Sequence, residues 1–182
     1  MRTLVIHPSD RSTDFLTPIY SNIYTFPDED KTTILRSGFT KAEVARMIKE
    51  HDRVLMMGHG SPSGLFSVGQ FEGVYVIDST MVELLKDNPN NVYIWCNADL
   101  FVTKHGLKGF YTGMFISEYS EAGMCNVNAY SGEIEKSNDW FADVVGSNIN
   151  EDIRTLWLNT KKEYNLEGAV CDYNRSRLYL AD

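Results

Sequence analysis

Two unbroken apolar runs constrain this chain more than any other feature. Val54-Leu55-Met56-Met57 leads into Gly58-His59-Gly60, and Val92-Tyr93-Ile94-Trp95 leads into Cys96. Neither run alternates apolar with polar residues. A strand with one wetted face alternates with a period of two, whereas a strand covered on both faces is apolar throughout. The runs therefore predict central strands of a mainly parallel sheet with helices on both sides. Residues 3–7 read as a further short buried strand, stopped by Pro8 and the polar run Ser9-Asp10-Arg11-Ser12-Thr13-Asp14.

The rest of the chain alternates strands and helices around these runs. A helix is expected after Thr13 or Asp14, opposed by Pro18, and a strand over residues 23–26. Thr40-Lys41-Ala42-Glu43 is a capping-box pattern followed by Val44, Met47 and Ile48 on one helical face. Residues 66–68 and 74–77 suggest a small hairpin. Ser79 or Thr80 is expected to cap a helix through Lys86, which Asn88-Pro89-Asn90-Asn91 breaks. Helices are predicted over 106–121, 134–145 and 151–164, and a strand over 127–130. A terminal strand pair is predicted from 169–173 and 177–180 around Asn174-Arg175. The sum is an α/β fold, a three-layer α/β/α sandwich with a mainly parallel central sheet, as a single domain over residues 1–182. There is no internal repeat, low-complexity tract or linker.

Charge and composition exclude several function classes. A net charge of −8 repels phosphate backbones, so nucleic acid is not an expected partner. No stretch approaches the ~20 apolar residues of a membrane span, and the N-terminal apolar run is too short for a signal-peptide core; neither a membrane association nor a secreted form is expected. The three cysteines, Cys96, Cys125 and Cys171, form no CxxC pair and no disulfide framework, which suits a cytoplasmic address. No metal is expected either, since His7, His59 and Asp10 lack ligand spacing. Residues 58–64 lack the lysine and hydroxyl residue of a phosphate-binding loop, so no cofactor is implied.

Open α/β sheets build sites beyond the C-terminal ends of their strands. His7, His59 and Cys96 all fall at such ends. A thiol needs a base or cation beside it to become a nucleophile near neutral pH, and adjacent strands ending in His59 and Cys96 supply that pair. Gly60 carries no side chain, so its N–H and that of Cys96 can reach a substrate carbonyl oxygen as an oxyanion hole. Read alone, Cys96 fits core packing as well, because free cysteine is among the most buried residue types. Asp10 and Asp14 in the loop after the first strand, Asp99 just beyond Cys96, and Ser61 beside Gly60 are candidate substrate contacts. The first two also suit a solvated turn with helix capping. His105, Cys125 and Cys171 read as loop or packing residues.

The order apolar strand, His-Gly, helix, apolar strand, Cys resembles the caspase-like clan of cysteine peptidases, which includes caspases, gingipains, legumain, separase and the CHAT peptidases. The blocks that carry the resemblance are Val54-Leu55-Met56-Met57-Gly58-His59-Gly60-Ser61 and Val92-Tyr93-Ile94-Trp95-Cys96, with histidine 37 residues before cysteine. Papain-like enzymes have the reverse order. The resemblance implies His59 as general base and acid, Cys96 as nucleophile, Gly60 as oxyanion donor, and a peptide or protein as substrate. Trp95 stands where caspases carry glutamine and Asn97-Ala98 where they carry Arg-Gly, so caspase-type aspartate preference is not implied. Two alternatives stand beside the peptidase: a catalytically inactive caspase-like binding module, and a thiol hydrolase of small molecules.

Overall fold

The computed structural model describes residues 1–21, 23 and 32–182. Six strands form the central sheet: β1 (Thr3–Ile6), β2 (Thr32–Leu35), β3 (Arg53–Met57), β7 (Val92–Ile94), β8 (Gly109–Thr112) and β9 (Leu178–Ala181). Between β3 and β7 a second, three-stranded sheet is built from β4 (Gly60–Ser61), β5 (Gly64–Phe66) and β6 (Tyr75–Ile77). The large sheet has the order β2-β1-β3-β7-β8-β9. All its pairs are parallel except the last, where β9 runs antiparallel to β8.

Residues of the apolar runs alternate between two cores. Val54, Met56, Tyr93 and Trp95 pack on one face, with α2 (Lys41–Glu50), α3 (Val82–Leu85) and α4 (Ala98–His105). Leu55, Met57, Val92 and Ile94 pack on the other, with α1 (Pro18–Ser21), α6 (Glu133–Asn148) and α7 (Ile153–Glu163). Helices thus cover both faces, which is why neither run alternates. The capping box forms as expected: Thr40 accepts from the Glu43 N–H, and the Glu43 carboxylate accepts from the Thr40 N–H.

Several boundaries differ from expectation. Residues 106–121 are not one helix. The chain leaves α4 through Gly106 at φ +61°, forms β8, and enters the short α5 (Tyr119–Met124). At Gly109, φ is +125° and an added Cβ would lie 2.0 Å from the Asn91 carbonyl oxygen, so only glycine lets β8 lie this close to the segment leading into β7. Residues 127–130 form no strand. Residues 169–173 belong to α8 (Ala169–Ser176), whose Val170, Cys171 and Asn174 are buried at helical spacing. The expected strand over 177–180 exists as β9, but it pairs with β8. After β1 a 3₁₀ turn over Arg11–Leu16 precedes α1, and Pro18 opens that helix, where its missing N–H costs nothing. Asp78, rather than Ser79 or Thr80, caps the turn before α3. Residues 24–26 of the strand expected over 23–26 lie outside the described residues. Among the described residues no helix is long and apolar enough to cross a membrane.

Candidate functional site

The register of β3 and β7 positions the central pair. Met57 lies opposite Ile94, and the Gly58 N–H donates to the Ile94 carbonyl at 3.0 Å. His59 and Cys96 each lie two residues further on, so they emerge level from adjacent parallel strands. Gly58 has φ +142°, which turns the chain away from the sheet before His59. Beyond Cys96 the turn into α4 passes through Asn97 in the left-handed region (φ +64°, ψ +29°), a conformation asparagine tolerates better than most residues. Cys96 thus sits on a tight strand-to-helix turn. His59 and Cys96 line one cavity of about 30 Å³, together with Gly58, Trp95, Thr13 and Phe115. That volume holds little more than one or two water molecules.

The two side chains are engaged with different partners. The Ser12 hydroxyl lies 2.6 Å from His59 Nε2 and 2.5 Å from Asp10 Oδ1, and Asp10 Oδ1 is 3.8 Å from His59 Nε2. The Cys96 thiol donates to the Phe115 carbonyl at 3.5 Å and to Glu121 Oε1 at 3.8 Å. Burial, followed by the Glu121 carboxylate, pushes the Cys96 thiol up to about 12. At neutral pH the thiol is therefore protonated in this state. Glu121 is itself held in place: its Oε2 accepts from the Ser117 N–H and hydroxyl and from the Glu118 N–H.

Gly60 occupies the first position of β4. The Phe66 N–H donates to the His59 carbonyl at 2.8 Å, and Gly60 faces Leu65. In an antiparallel ladder this makes Gly60 part of a non-hydrogen-bonded pair, so its own N–H is directed away from β5. The glycine also has a packing reason, since an added Cβ would lie 2.2 Å from Trp95 Cδ1. The Trp95 indole in turn donates to the Ser61 carbonyl at 3.1 Å.

The expected substrate contacts separate. Asp10 caps the Arg11–Leu16 turn through the Ser12 N–H and belongs to the His59 cluster. Asp14 is exposed and pairs with Arg36 at 2.8 Å. The Ser61 hydroxyl lies 3.2 Å from the Tyr75 hydroxyl and accepts from the Ser63 N–H, a role inside the hairpin. Asp99 falls in a separate groove with Thr103, Tyr111 and Tyr179. Tyr111 packs against the α2–α4 core while Cys96 packs against the α6–α7 core, so Asp99 lines a groove across the sheet from the Cys96 thiol. His7 is buried, with its ring nitrogens 3.1 Å from the Tyr20 hydroxyl and 3.2 Å from the Thr13 hydroxyl. Among the described residues no three His, Cys, Asp or Glu side chains are grouped to hold a metal ion.

Ser12 and Glu121 are the residues that sequence reasoning missed. Ser12 was visible only as part of a polar loop. Glu121 lies three residues after Glu118, a capping-box spacing, but the helix expected to run through 106–121 concealed that a helix starts there. No protein-family model matches the chain, and neither the curated proteins nor the solved structures contain a match.

Proposed function

We propose that this chain is a cysteine-dependent hydrolase of the caspase-like type, acting on peptides or proteins through an acyl-enzyme. The observation that carries the reading is the level emergence of His59 and Cys96 from neighbouring parallel strands onto one cavity. In the reaction, Cys96 Sγ attacks the substrate carbonyl carbon and its proton passes to the His59 ring. The Gly60 and Cys96 N–H groups donate to the oxyanion. Collapse of the tetrahedral intermediate breaks the C–N bond, and the leaving amine takes the proton from His59. Water, deprotonated by the same ring, then attacks the thioester and releases the acid with the free thiol. Because the Cys96 thiol is protonated and its cavity is water-sized, substrate entry has to widen the site and release the thiol from Glu121. Three free thiols suit a cytoplasmic address.

A second reading, a caspase-like module that binds a partner without turnover, is favoured by the pushed-up Cys96 thiol and the engagement of His59 by Ser12. Peptide acyloxymethyl ketones of varied sequence separate the two. Site-selective labelling of Cys96 over Cys125 and Cys171, lost in His59→Ala, is expected for the hydrolase. Equal labelling of all three thiols, unaffected by His59→Ala, leaves the binding module. A reactive Cys96 that cleaves small esters and no peptide points to a small-molecule hydrolase.

A further inference from the structure

The contacts around His59 determine where its proton resides. Asp10 accepts from the Ser12 N–H at 2.9 Å and lies 2.5 Å from the Ser12 hydroxyl. These hydrogen bonds hold the Asp10 carboxyl below the usual carboxylate range, so it is ionised at neutral pH and can only accept. The single Ser12 hydroxyl proton must then point at Asp10. The alternative would set two lone pairs against each other across 2.5 Å. With its proton committed, Ser12 Oγ can only accept from His59 Nε2, 2.6 Å away.

We infer that Asp10 and Ser12 are positioning residues that hold the His59 proton on Nε2 and so leave Nδ1 as the ring's basic nitrogen. The inference deepens the hydrolase reading and rests on it for its catalytic meaning. The chain runs from the Asp10 carboxylate through the Ser12 hydroxyl to the Nε2–H. When Nδ1 takes the Cys96 proton, the resulting imidazolium keeps its Nε2–H bond to Ser12, with the Asp10 charge 3.8 Å away. No bond forms or breaks at Ser12. Ser12 is therefore not the nucleophile, despite its exposure and its contact with a histidine, because Nε2 carries a proton and cannot take another from it.

The test reads the tautomer directly and needs no substrate. Long-range ¹H–¹⁵N spectra of the full chain are recorded at alkaline pH, with the His59 signals assigned by their loss in His59→Gln. His59 is expected to show Nε2–H alone in the unsubstituted chain and in Ser12→Thr, which keeps the hydroxyl. Nδ1–H signal is expected to appear in Ser12→Ala, where the acceptor is gone, and in Asp10→Ala, where the Ser12 hydroxyl loses its acceptor and is free to turn its proton to Nε2. A proton on Nδ1 in the unsubstituted chain, or one tautomer pattern common to all four proteins, overturns the inference. Where hydrolysis is measurable, Ser12→Ala is expected to lower kcat by about 10- to 100-fold with little change in KM, and Ser12→Thr to restore it. An unaltered kcat in Ser12→Ala also overturns it. If the tautomer pattern appears as expected but Cys96 is never acylated, the hydrolase reading fails while the assignment of the proton stands.

Discussion

At Cys96, two effects of unequal weight keep the thiol protonated: burial contributes most and the Glu121 carboxylate adds to it. The two effects are separable by substitution. Glu121→Gln removes the charge but keeps an oxygen that accepts from the Ser117 and Glu118 N–H groups, so the start of α5 survives. The thiol is expected to titrate at lower pH, with about tenfold more thiolate at a fixed pH for every unit it falls. Rates of Cys96 alkylation measured against pH check this, and an unmoved profile would leave burial as the sole cause. Cys96 was recognisable in the sequence because it ends an apolar run. Its chemical state was not, because Glu121 lies 25 residues away and meets the thiol only in the folded chain.

Glycines decide the form of two elements. The hairpin formed by β4 and β5 lies against the Trp95 ring, and an added Cβ at Gly60 would also fall 2.7 Å from the Gly64 carbonyl oxygen. Gly60→Ala is therefore expected to destabilise the protein by about 1–3 kcal/mol through overpacking, measured as a lower urea midpoint. The same loss in a Cys96→Ala background would assign it to packing; a loss of activity without a loss of stability would instead show the added methyl obstructing the approach of a substrate carbonyl to the N–H, which alanine retains. Gly106 and Gly109 explain the error over 106–121. The apolar residues there suit a helix or a strand equally, and only the left-handed Gly106 and the approach of Gly109 to Asn91 select β8. The helix from Lys41 was legible because its signal is local: Thr40 and Glu43 are three residues apart and satisfy each other's backbone. Residues 169–173 misled because β-branched and aromatic side chains suit a strand, whereas the buried Asn174 side chain, bonded to both the N–H and the carbonyl of Ile116, anchors them as a helix.

Across the whole molecule, His7 couples stability to pH. It is fully buried beside β1, and burial first, then the Arg36 guanidinium, lower it from 6.5 to about 4. Between those values the unfolded chain binds more protons than the folded one, so stability rises with pH across the window. The contribution is complete above 6.5 and is lost progressively as pH falls toward 4. A shift of this size corresponds to about 3 kcal/mol. Urea midpoints measured across this window are expected to fall more steeply for the unsubstituted chain than for His7→Gln, which carries no titrating ring. Equal slopes would move the acid sensitivity onto the carboxylates. At the opposite end of the sheet, the buried Arg53 guanidinium donates to the Ile149 and Glu151 carbonyls and ties the α6–α7 connection to the start of β3.

The layered α/β plan, the two central strands and the emergence of His59 and Cys96 at their ends are legible from the chain alone. Unbroken apolar runs and glycine-flanked strand ends are local patterns that survive without knowledge of partners. Which groups meet at those ends follows from the folded chain: Ser12 and Asp10 at the imidazole, Glu121 and the Phe115 carbonyl at the thiol, and Asp99 in a groove across the sheet. These meetings depend on strand order, register and loop packing, which bring together residues up to 49 positions apart, as for Asp10 and His59. No periodicity in the chain encodes such distances, because they are fixed by burial of two apolar faces at once.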